Sequence, residues 1–138
     1  MRLSLASTAS ADEISGTSTI WAKGVGLAIL WEDGEINIQG HGVGIVWIKN
    51  AETLDAAGHG HRWEARGGAT VFWGWWGKIQ ASGDNITVWM TGGLIEFTAT
   101  GTGRVYLRGH GRYEINGDEA FWRPTGEILS LETVEQAQ

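Results

Sequence analysis

The 138-residue chain has no cysteine and a single proline. The first absence excludes disulfides and thiolate metal sites and leaves the redox compartment unmarked. The second excludes collagen and proline-rich linkers. Basic residues are scarce, ten Lys and Arg against sixteen Asp and Glu, for a net charge of −6. Polyanions are drawn to basic patches, so neither nucleic acid nor an acidic membrane surface is an expected partner. No apolar run approaches the roughly 18 residues of a membrane span, so insertion is not expected either. Residues 1–10 carry one arginine and offer Leu3, Leu5 and Ala6 as an apolar segment, too short for a signal-peptide core, which makes the cytoplasm the default location. Helical periodicity is nearly missing between Thr17 and Trp122.

What the chain has in excess is glycine and tryptophan. The 22 glycines are over twice the usual share of about 7 per cent, and they accompany nine tryptophans in a chain that is 42% hydrophobic. Such a chain buries a core rather than remaining disordered. At this length one domain is expected. Glycines at 24, 34, 42, 58, 67, 83, 93, 101, 109 and 117 mark joints between short segments of alternating apolar residues. The underlying step is about 8.5 residues, and two steps make about 17.

Segments 17 residues apart superimpose: Val71-Phe72-Trp73, Val88-Trp89-Met90 and Val105-Tyr106-Leu107 align without a gap. The half-steps form a second register, Ile29/Trp31, Ile45/Trp47, Trp63/Ala65, Ile79/Ala81, Ile95/Phe97 and Tyr113/Ile115. Two ladders sharing one period predict an all-β, right-handed, two-sheeted β-solenoid of about six coils, each strand pairing in parallel with the segment 17 residues on. Glycine belongs at its corners, where turns after five or six residues demand positive φ or close backbone approach. The alternative is an antiparallel meander or barrel, for which Asp33-Gly34, Gly92-Gly93 and Asn116-Gly117 supply two-residue hairpin turns.

Short coils, glycine-marked corners and alternating apolar strands over residues 17–123 resemble those of the polymer-forming bactofilins and of adhesin heads built on Gly-rich β-helices. The stretch Gly101-Thr102-Gly103-Arg104-Val105-Tyr106-Leu107-Arg108-Gly109-His110-Gly111 is similar to segments of Gly-rich bacterial proteins. This resemblance implies a structural, self-associating protein, although the excess of tryptophan departs from the bactofilin pattern. Residues 1–16, rich in Ser, Ala and Thr, form an N-terminal tail. Residues 124–138, with Ile128, Leu129, Leu131 and Val134 among glutamates, form a C-terminal tail or cap.

Chemistry-bearing residues are few. Three of four histidines sit in Gly-His-Gly, at His41, His59 and His110, and His59 and His61 would share a strand face. A closed metal site needs more ligands than these two, so no metal or other cofactor is expected. Glu96 and Glu114 fall one coil apart, while Asp84, Asp118 and Glu119 lie at turns, where Asx hydrogen bonding explains the aspartates. No nucleophile elbow or phosphate loop is present, no catalytic residue is assigned, and the protein reads as a non-enzyme. A small polysaccharide-active enzyme working through paired carboxylates is the weakest of the alternatives.

The functional signal is aromatic. If Val71, Trp73, Val88, Met90, Val105 and Leu107 face the core, pleat alternation places Phe72, Trp89 and Tyr106 outside in one column, with Trp75 and Trp76 adding to the same region. The opposite phase would turn these rings inward. An exposed aromatic column marks a contact surface. The expected function is self-association into a homo-oligomer or filament, and the alternative is a module binding a polysaccharide or other ligand on the same surface. Ile38, Ile45, Trp47, Ile79, Val88, Ile95, Val105 and Ile115 are the expected core.

Overall fold

A computed structural model describes residues 18–132. They form six strands: β1 (Ser18–His41), β2 (Ile45–Lys49), β3 (Thr53–Glu64), β4 (Ala69–Ile115), β5 (Asp118–Phe121) and β6 (Glu127–Leu131). A 3-10 turn, Arg66–Gly68, joins β3 to β4. The expected tail at residues 1–16 lies outside the described residues. In the stretch expected as a C-terminal tail or cap, β6 pairs with β4 and buries Leu129 and Leu131.

The long strands pass repeatedly between two layers that pack face to face around one apolar cluster. The first layer contains, in order across it, residues 61–64 of β3, 69–73 of β4, β2, 87–91 of β4, 27–32 of β1, 104–108 of β4 and β6. The second contains 53–57 of β3, 78–82 of β4, 35–39 of β1, 96–100 of β4, 19–23 of β1, 112–115 of β4 and β5. Every pairing is antiparallel except that of β2 with β4. The fold is therefore all-β and mainly antiparallel, with a strand order suited to a sandwich or meander.

This corrects the expected pairing of each strand with the one 17 residues on. Val88 is flanked by Leu30 and Ile48, and Val105 by Leu30 and Leu129, so β1 lies between the two valines. The periodicity is real as the spacing between successive passages of β4 through one layer. It could not show that a second, antiparallel strand fills the gap between them.

Corners are built by glycine facing glycine. Gly26 opposes Gly109, Gly34 opposes Gly101 and Gly58 opposes Gly77. At Gly58, with φ of +134°, a Cβ would overlap the Trp76 carbonyl, so two backbones approach there more closely than any side chain permits. Of the three dipeptides suited to hairpins, Asn116-Gly117 makes one: both residues have positive φ, and Ile115 pairs with Asp118 across the turn. Asp33-Gly34 and Gly92-Gly93 are instead corners between layers.

Ile38, Ile79, Val88, Ile95 and Val105 are buried as expected. Ile45 is instead exposed, Trp47 half-buried on the outer side, and Ile115 only partly covered where it packs against the core. The first two belong to the outward rows of their layer, because the half-step ladder joined segments of both layers, and its phase points inward at 79–81 and 95–97 but outward at 45–47.

Candidate functional site

The two outer faces differ in chemistry. Outward residues of the second layer are mainly polar and charged: Asp55, Gln80, Asn37, Thr98, Trp21, Glu114 and Glu119 lie side by side in cross-strand register, with Trp21 and the exposed Phe121 beside Arg112 as aromatic exceptions. Outward residues of the first layer form an apolar row, Trp63, Val71, Trp47, Trp89, Ile29, Tyr106 and Ile128, running from one edge to the other. Beside it run His61, Trp73, Ile45, Thr91, Leu27 and Arg108. They are called here the polar layer and the aromatic layer.

Trp63 is 48% and Trp89 46% exposed, and Trp73, Ile45 and Ile128 are exposed as well. Aromatic packing orders one end of the row: His61 stacks on Trp73 at 4.5 Å and 14°, and Trp63 meets the same indole edge-on at 4.5 Å. Further along, Ile45, Trp47, Trp89 and Thr91 line a shallow apolar depression.

Phe72 is the correction among the expected surface residues. It is 0% exposed, points into the core and is met edge-on by Trp75 at 5.1 Å. The cause is a one-residue slip. Val71 shares a row with Trp89 and Tyr106, so the first step is 18 residues and the second 17, and the 17-residue overlay put Phe72 where Val71 stands. Trp73, expected in the core, is consequently outside. Trp89 is exposed and Tyr106 half-exposed, in one row as anticipated, but Ile29 of β1 sits between them. Trp75 is half-buried, and its enclosed indole nitrogen has no partner among the described residues. Trp76 is exposed at the corner, between His41 and His59 in cross-strand register.

Sequence reasoning missed Trp63, Trp47 and Ile45 as surface residues. The signal was there in the half-step ladder, where Ile45/Trp47 aligned with Trp63/Ala65, but these were assigned to the other sheet with their side chains inward.

At the β3 edge, charged groups lie on the inward side. The Arg62 guanidinium sits 5.3 Å from the Phe72 ring centroid, Arg62 donates to Glu64 at 3.2 Å, and the Thr70 hydroxyl donates to Glu64 at 2.7 Å. The Thr70 hydrogen bond, helped by Arg62, holds the Glu64 carboxyl below its ordinary range. At the opposite end Trp122 is buried and donates its indole N–H to the Arg112 carbonyl at 3.0 Å.

One carboxyl lies deep. Glu32 is 2% exposed, and neither oxygen has a hydrogen-bond partner among the described residues. Burial first, then the neighbouring Asp33 charge, push its pKa up to about 8, so the group is mainly a neutral acid at pH 7. His59 and His61 do not converge on one site: His59 flanks Trp76, and His61 covers Trp73. Among the described residues, no three His, Asp or Glu side chains gather closely enough to hold a metal ion.

No protein-family model, curated protein or solved structure matches this chain.

Proposed function

We propose that this protein is a non-enzymatic structural module that self-associates through the outer face of its aromatic layer. One observation carries the reading: an apolar row spans that layer from Trp63 to Ile128, exposed at Trp63, Trp89 and Ile128 and covered at Val71 and Ile29, whereas the opposite outer face is mainly polar. Exposed apolar surface concentrated on one face is costly to leave in water and marks a contact.

Lateral, face-to-face association is favoured over end-to-end stacking of strand edges. An edge strand templates a further chain through its free backbone groups, and inward-facing charge is a recognised way of blunting it. Arg62 and Glu64 supply such charge at the β3 edge, and stacking there would bury both. A sugar on the aromatic face is the weaker reading, because Thr91 alone contributes a polar side chain to the depression beside Trp89. The back-and-forth winding of β4 retains a solenoid-like element suited to a repeating assembly.

Analytical ultracentrifugation tests the proposal. The expected result is a concentration-dependent dimer or larger species that Trp89→Ser and Trp63→Ser each weaken, while Lys78→Ala on the opposite face leaves it unchanged. A wild-type chain that remains monomeric at high concentration refutes it.

A further inference from the structure

We propose that the polar layer carries a carbohydrate site in the groove above Thr98, shaped for a neutral pyranose ring of an oligosaccharide. This goes beyond self-association and uses the opposite face of the molecule.

The groove follows from the register. Thr98 is short and stands between two larger outward neighbours, Trp21 on one strand and Asn37 on the other. In the adjoining positions Gln39 pairs with Lys78 and Lys23 with Glu96. The resulting groove, of about 260 Å³, is lined by Trp21, Asn37, Gln39, Lys78, Glu96 and Thr98, over Ile38 and Phe97. That is slightly below the roughly 300–1,000 Å³ of drug-sized sites, a scale that suits a single ring.

The polar groups are partly fixed and partly free. Glu96 is held at both oxygens, by the Trp21 indole N–H at 3.5 Å and the His41 ring nitrogen at 2.9 Å. The Arg112 guanidinium lies 5.5 Å from the Trp21 ring centroid and packs that indole from the neighbouring strand. The Gln39 amide nitrogen is directed to the carbonyls of Gly40 and Gly77, which leaves its oxygen as an acceptor. Among the described residues, the side chains of Asn37, Lys78 and Thr98 make no hydrogen bond within the molecule.

One wall is thus an oriented indole. The remainder is an amide, an ammonium, a hydroxyl and two preset acceptors, drawn from the strand of Thr98, its two neighbours and, for Lys78, the strand beyond. A pyranose has the complementary pattern, with C–H groups on its ring face and hydroxyls that both donate and accept around its rim. Lys23, Lys78 and Arg112 stand beside Glu96 and Glu114 in this part of the face, and this near balance of charge favours a neutral ring over a phosphate or a uronate. The depression on the aromatic face has the apolar wall without the rim of polar groups.

The test has two parts. Calorimetry of the wild-type chain against cellohexaose, maltohexaose, xylohexaose, mannohexaose and N-acetylchitohexaose is expected to find binding by at least one, with a Kd of about 0.1–1 mM. Amide and indole NMR spectra of the Trp89→Ser chain, whose groove is untouched, then locate the bound sugar whether or not the wild type assembles. The expected shifts are at the Trp21 indole and residues 37–39, 78 and 96–98, and the Trp63 and Trp73 indoles stay unchanged. Thr98→Tyr, which fills the groove, and Asn37→Ala, which removes one partner, should each weaken binding at least about tenfold. Absence of binding across the panel, shifts confined to the aromatic face, or wild-type affinity in both variants overturns the proposal. None of these outcomes bears on the sedimentation result.

Discussion

Glu32 and Phe72 show how much one position decides. Glu32 has a folded-state pKa of about 8, above its unfolded value, so the folded form holds the proton more tightly. Stability from the neutral acid is fully present below the unfolded pKa and is lost as pH rises through the folded one. Thermal melts should show wild-type stability falling by up to about 4 kcal/mol between pH 5 and pH 9. Glu32→Gln keeps an uncharged group of the same size and should largely remove that slope, exceeding wild type at pH 9. Equal slopes in the two proteins would remove Glu32 from the account.

Phe72 was legible as apolar but not as buried. Adjacent residues on a strand face opposite ways, so one extra residue between two passages exchanges the roles of Phe72 and Trp73. Phe72→Ala should cost about 3–5 kcal/mol, as large core truncations do. Trp89→Ser should cost under about 1 kcal/mol in the monomer, because nearly half of that side chain is already in water. Urea unfolding of the two variants distinguishes the inward ring from the outward one.

At the scale of elements, the strands and their corners were readable because glycine clusters have a stereochemical cause. The two kinds of glycine were not separable by eye. Gly68 has a φ of +83° and open space around it, so Gly68→Ala should cost only the left-handed strain of about 1–2 kcal/mol. Gly58→Ala adds a collision with the backbone of the paired strand, at Trp76, and should destabilise substantially more. Equal midpoints for the two in denaturant unfolding would show that the corner has room to relax. Which corners face which is long-range information, as with Gly26 and Gly109, and no local pattern in the chain encodes it.

At the scale of the molecule, composition and periodicity conveyed two apolar sheets and an aromatic surface, and the polar groove was out of reach. Trp21, Asn37, Lys78, Glu96 and Thr98 come from distant parts of the chain and meet only because β1 lies among passages of β4. The same interleaving means that cutting the chain between Lys49 and Thr53 should not yield a folded half. Either fragment alone should lack the native near-ultraviolet dichroism, and mixing them should restore it.

Interleaving also sets a schedule for biosynthesis. Ile20 pairs with Ala99 on one side and Ile115 on the other. A ribosome adding about 5–20 residues per second needs several seconds to advance from the end of β1 to the end of β4. Until synthesis reaches Trp76 none of the partners of β1 exists, and they are complete only at Ile115, so apolar residues of β1 stay accessible over that interval to any chaperone that binds nascent chains.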